Sequence, residues 1–373
     1  MLNKQLWTGP SFSRRLELAA GQPSGFDYMR LALAILVVCY HSVVTAYGDD
    51  AQREFYATSF GQLARLILPM FFSLSGFLVA GSLERSPGIT TFLGLRALRI
   101  FPALAVDTVF CALVLGTLFT SLPLREYFQH PDFPNYFQNI LGIIHFQLPG
   151  VFEGNPSNTV NGQLWTIPFE LECYIVLAAL GIFGVHRRRG AFVLLLCAAV
   201  LALEFRVVFQ GAQPWAGRLL VLCFLAGVAL YLYREVVQSK PVYFALAAAL
   251  SLISLITPKL YYLSAFPVAY ATAYIGAFNP KKIALIKSGD YSYGIFLYGF
   301  PIQQVLVALT PLARDWRVNL LLALPATFFF AALSWHLIEK RVLAKKGVMK
   351  IIQAKVPPNQ LPKFFDFFRQ LKP

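Results

Sequence analysis

The stretch Gly25-Phe26-Asp27-Tyr28-Met29-Arg30 runs directly into Leu31-Ala32-Leu33-Ala34-Ile35-Leu36-Val37-Val38-Cys39-Tyr40-His41-Ser42. An arginine opens an apolar run of membrane-crossing character, and a histidine lies well inside it. The interval is 41 − 30 = 11 residues. At about 100° and 1.5 Å per residue, the two side chains share one helix face about 16 Å apart. Ionisable groups inside a span are costly and usually face a bundle interior or a wet cavity, which makes His41 a candidate functional group. The plainer alternative is a histidine bonded to a neighbouring helix for packing.

The rest of the chain fits that opening. Of its 373 residues 57% are hydrophobic and only 13% charged, far from a soluble domain, where about a quarter are charged. The expected fold is all-α, a polytopic membrane bundle. The net charge of +14 does not indicate nucleic acid, because the bases are scattered over short loops instead of lining one face. Cys39, Cys111, Cys173, Cys197 and Cys223 all fall in apolar runs without ligand spacing, so neither a disulfide framework nor a metal site is expected. Residues 1–24 are polar and mixed, with no cleavable signal.

With about 20 apolar residues per span, about ten transmembrane helices are expected, near 27–47, 60–81, 101–121, 163–185, 190–208, 216–233, 241–257, 260–278, 291–311 and 318–338. Lys and Arg collect in alternate loops, at Arg85, Arg96 and Arg99, at Arg187 to Arg189, at Arg234 and Lys240, and at Lys281, Lys282 and Lys287. By the positive-inside rule both termini are then cytoplasmic. The chain divides into a cytoplasmic segment at 1–24, a membrane domain at 25–341, and a basic, Phe-rich tail at 342–373 suited to lying on an anionic leaflet. A long outward loop, about 122–162, holds the apolar stretch Phe137 to Phe146, too short to cross and suited to roofing a cavity.

Counting depth from the ends of the first and fourth spans puts Glu170 level with His41, each about 10 Å below the outer boundary. Glu172 is about 160° round the same helix, so only one of these acids can face the imidazole and orient or balance it. Arg30, Arg96 and Arg99 fall at the cytoplasmic face, where guanidinium forks suit the oxygens of a phosphate-bearing ligand. Asp107 is one more intramembrane charge, and Ser73 and Ser75 flank Gly76 on a helix surface suited to close packing. A histidine near its working pKa can take the proton of an attacking hydroxyl. Phosphates at one end and reaction some 16 Å up the helix call for a long, thin acyl donor such as acyl-coenzyme A.

Five motifs in order carry a resemblance. Asp27-x-x-Arg30 with His41 is similar to the first-span signature of the acyltransferase 3 family of integral membrane acyltransferases. Phe72-Ser73-Leu74-Ser75-Gly76-Phe77, Arg96-x-x-Arg99-Ile100-x-Pro102, Leu164-Trp165-Thr166-Ile167-Pro168-Phe169-Glu170-Leu171-Glu172 and Asp290-Tyr291-Ser292-Tyr293-Gly294 through Gln304 resemble its later motifs, over about residues 25–340.

The resemblance implies acyl transfer, most often of acetyl from acetyl-coenzyme A as donor substrate with no tightly bound cofactor, to a sugar hydroxyl of a surface polysaccharide, O-antigen or lipo-oligosaccharide. It implies a bacterial inner-membrane enzyme of the exopolysaccharide and O-antigen branch, with a carbohydrate or glycolipid acceptor and the lipid bilayer as partners. His41 would be catalytic with Glu170 or Glu172, Arg30, Arg96 and Arg99 would serve the donor, and Asp27, Ser75, Trp165 and Tyr298 would belong to the substrate site. Many members carry a histidine where this chain has Gly299, so that second histidine's role does not transfer. A transient acyl-protein bond and direct transfer both satisfy these residues, and no oligomeric state is indicated. The rival reading is a glycan or lipid transporter or flippase using the same polar cavity. A non-catalytic scaffold gives no reason to bury His41, Glu170 and Asp107.

Overall fold

The computed structural model describes residues 9–86, 88–184 and 188–344. The proposed tail at 342–373 therefore lies almost wholly outside the described residues. Ten helices answer to the ten expected spans. They are α1 (Gly25–Tyr47), α2 (Ile67–Arg85), α3 (Ile89–Phe110), α4 (Ile167–Ile182), α5 (Arg189–Gln210), α6 (Ala216–Leu232), α7 (Pro241–Ile256), α8 (Ala265–Gly276), α9 (Ser292–Leu309) and α10 (Trp316–Ser334). Among the described residues seven helical stretches, those containing α1 to α5, α9 and α10, are long and apolar enough to cross a membrane. The helices α6, α7 and α8 have 17, 16 and 12 residues, short for a ~30 Å hydrocarbon core at 1.5 Å per residue.

Several starting points differ from expectation, with α2 beginning at Ile67 instead of near 60 and α8 at Ala265 instead of near 260. The third helix begins at Ile89 instead of near 101, so Arg96 and Arg99 sit on helix α3 and not in a loop. Charged side chains raised the local polarity of 89–100, but the helical period of Phe92, Ile100, Ala103 and Leu104, all buried, carries the helix through them. The fourth expected span opens as a tight 3-10 segment, Gly162–Thr166, before α4 proper.

Packing holds α2 against α6 closest of all. A Cβ on Gly76 would meet the backbone of Phe224, and one on Gly227 the backbone of Ser73. Small residues at such crossings let helix backbones touch where no hydrophobic driving force acts between helices in lipid. The Ser73 hydroxyl donates to the Cys223 carbonyl at 3.2 Å across the same seam. Around this pair, α8 and α1 close one side, while α9 lies between α1 and α10.

The loop between α3 and α4 is a packed unit. Tyr127 and Tyr136 are fully buried against Cys111, Ala112 and Phe152. The chain after α3 widens into a π turn, Cys111–Leu115, and the Tyr127 hydroxyl donates to the Ala112 carbonyl there at 2.7 Å. Widened turns free carbonyls from the helix ladder, and this one is satisfied from the loop. Of the apolar stretch expected to roof a cavity, 137–141 is a 3-10 helix and Phe146 reaches a cavity wall.

Candidate active site

His41 lies on α1 at 8% exposure. Its ring stands edge-on to Phe300 of α9 at 5.1 Å, with Tyr40 at 5.4 Å on the other side. The imidazole joins the wall of a cavity of about 520 Å³ together with Gln163, Trp165, Tyr56, Arg65 and Phe300. The 3-10 segment comes near enough to α9 because residue 162 is glycine: a Cβ there would fall 2.7 Å from the Phe300 ring. Trp165 and Gln163 line the same cavity as His41.

Gln163, Trp165 and Thr166 line the cavity with His41, but Glu170, on the helix that follows, does not. It accepts from the Tyr174 hydroxyl at 2.5 Å, within electrostatic reach of Arg99, Arg96 and Arg30. Glu172 turns away and pairs with Arg218 of α6, both side chains about one-third exposed. Among the described residues no hydrogen bond joins either glutamate to His41.

At the other end of α1 the arginines meet. Asp290, two residues before α9, uses Oδ1 to accept from the backbone and hydroxyl of Ser292 at 3.3 and 2.6 Å. Its Oδ2 accepts from Arg99 at 2.6 Å and from Arg30 at 3.3 Å. Burial alone would raise the Asp290 carboxyl, but Arg99 and Arg30 outweigh it and hold it below the usual carboxylate range. The second arm of Arg99 reaches Glu339 at 3.3 Å, and Ser334 donates to that acid at 3.1 Å. Arg96 differs: its guanidinium donates to Ser82 at 3.3 Å, stands 6.0 Å from the Tyr174 ring, and makes no ion pair among the described residues.

The remaining expected residues lie apart. Asp27 pairs with Lys282 at 2.7 Å beside a smaller cleft of about 240 Å³ that Asp290 and Trp335 also line. Ser75 reaches the Tyr174 hydroxyl. Tyr298 packs against Phe110 and Phe330 and does not join the His41 cavity wall. Gly299 presses on Val38 of α1. Among the described residues no three His, Cys, Asp or Glu side chains are gathered to hold a metal ion.

Sequence reasoning quotes Asp290 only as the head of the last motif, with no role, and passes over Glu339 and Gln163. Glu339 was findable, as an acid at the end of an otherwise apolar span. Asp290 carries the Asp-x-Ser pattern of a helix start. Gln163 gave no signal, because its meaning depends on how deep the loop descends.

The family described as "Acyltransferase domain" matches residues 24–338. An "O-acetyl transferase" of Shigella phage Sf6 is 30% identical over 340 residues, covering 86% of this chain and 96% of its own. "Nodulation protein 10" of Rhizobium leguminosarum bv. viciae is 27% identical over 358 residues, covering 87% and 94%. No solved structure matches the chain.

Proposed function

The chain belongs to this acyltransferase family and is a membrane acyltransferase; from that premise we propose that it moves acetyl from acetyl-coenzyme A to a sugar hydroxyl of a surface glycan, at the bacterial inner membrane. The observation that carries the reading is the pairing on α1 of a buried imidazole in a cavity wall with Arg30, which Asp290 joins to Arg99 nearer the start of the helix. The name of the phage Sf6 relative supports O-acetylation.

In this reading Arg30, Arg96 and Arg99 make the end that receives the coenzyme A phosphates, and the pantetheine arm covers the roughly 16 Å to His41. An imidazole nitrogen of His41 takes the proton of the acceptor hydroxyl while its oxygen bonds to the thioester carbonyl carbon. The carbon–sulfur bond then breaks, and the proton passes from His41 to the departing coenzyme A thiolate. Glu170 belongs with the donor end, and Glu172 ties α4 to α6.

Purified protein offered radiolabelled acetyl-coenzyme A and candidate glycans should move label to the glycan. A carrier for glycan or lipid, the rival reading, would leave all label on coenzyme A.

A further inference from the structure

Gln163 is 1% exposed and forms part of the cavity wall beside His41. Both of its amide hydrogens are engaged: Nε2 donates to the Leu297 carbonyl at 2.6 Å and to Asn161 Oδ1 at 3.2 Å. Its carbonyl oxygen, Oε1, is buried and has no partner. Buried polar atoms in folded proteins are nearly always satisfied, so an orphan acceptor in a cavity wall asks for a donor that arrives from outside.

The orientation of that amide is fixed from α9 and supported from α3. The Leu297 carbonyl can only accept, so Gln163 turns Nε2 to it. Asn161 meets the same Nε2 with its oxygen, its nitrogen being given to fully buried Asp107 at 3.2 Å and to the Tyr136 hydroxyl at 2.8 Å. Oε1 is then the polar atom of this cavity-wall side chain left without a partner.

We propose that Gln163 determines acceptor specificity: Oε1 accepts a hydrogen bond from a sugar hydroxyl other than the one acylated, with Asp107 and Asn161 as positioning residues. The proposal rests on the acyl-transfer reading above. Two placements favour a sugar over the pantetheine amides as the donor of that bond. Phe146 and Thr159 of the α3–α4 loop line the same cavity as Gln163, and Arg30, Arg96 and Arg99, which receive the donor phosphates in this reading, are not part of its wall. A site built to pair a hydroxyl rejects analogues lacking it far more strongly than an apolar pocket rejects a missing methylene.

The test uses the full chain in nanodiscs, radiolabelled acetyl-coenzyme A, and the methyl glycosides of glucose, mannose, galactose and rhamnose, followed by the monodeoxy analogues of the best acceptor. In the wild type one deoxy analogue should lose roughly tenfold or more in kcat/KM. Gln163→Met should raise KM for the parent glycoside by about that factor, leave KM for acetyl-coenzyme A in place, and erase the preference for parent over deoxy sugar. Asp107→Asn, which lets Asn161 turn over, should erode the same preference in part and carries the comparison if Gln163→Met folds poorly. An intact preference in both variants, or a rise confined to the acetyl-coenzyme A KM, overturns the proposal. Wild type that transfers label to no glycoside overturns the enzyme reading itself, and that outcome is visible before any variant is compared.

Discussion

Arg99 donates to Asp290 at 2.6 Å, and with its other arm reaches Glu339 at 3.3 Å. One side chain thereby joins α3 to the start of α9 and to the turn after α10. Arg30 enters the same knot from α1 through Asp290. Arg96, one helical turn before Arg99, stays outside it.

That contrast predicts different phenotypes for two arginines of one motif. Arg99→Ala leaves Glu339, 3% exposed, without its cation, and losing one partner of a buried pair costs on the order of 3 kcal/mol. Arg96→Ala breaks no ion pair and should cost under about 1 kcal/mol. Thermal melting in detergent should separate the two, while binding of coenzyme A weakens in both. Equal melting temperatures would contradict the knot.

The same knot fixes a pH dependence. Asp290 is held below its ordinary pKa of 3.8 by Arg99 and Arg30 against the cost of burial. A depressed carboxyl stabilises the fold above its unfolded pKa, and that contribution drains away as pH falls below about 4. Melting temperature should drop over that range in the wild type and drop less steeply in Asp290→Asn. Parallel curves would show that the aspartate contributes nothing.

The two glutamates of α4 should also part company. Glu172 is paired with Arg218 where both are about one-third exposed, so Glu172→Gln should keep acetylation within about twofold and lose about 1 kcal/mol or less. Glu170 faces the arginine end, and Glu170→Gln should alter KM for acetyl-coenzyme A with little change in KM for the acceptor. A shift confined to the acceptor would return Glu170 to the imidazole.

Gly76 has no room for a side chain against the backbone of Phe224. Gly76→Ala should force α2 and α6 apart, costing about 1–3 kcal/mol, and lower the amount of folded protein in membranes. Wild-type abundance and melting would mean the seam is looser than its geometry implies.

Much of this was legible beforehand. Apolar length and loop charge set out ten helical segments, and the pairing of Arg30 with His41 followed from helix geometry alone. Depth was harder to read. The tight segment Gly162–Thr166 begins inside the bundle instead of at its surface, so counting residues from an assumed boundary set Glu170 beside His41, whereas its partner is Tyr174. The start of α3 was hidden for a related reason: Arg96 and Arg99 looked like loop residues until Asp290 and Glu339 supplied partners from far along the chain. Pattern reports periodicity along one helix, whereas these placements depend on contacts between helices.

The central claim is that His41 is the group on which acyl transfer turns. Surface glycans from cells carrying the wild-type chain and from cells carrying His41→Ala at matched membrane abundance should be compared by mass spectrometry for ester content. The account predicts acetyl esters with the wild type and none with His41→Ala, and ester content equal in the two would contradict it.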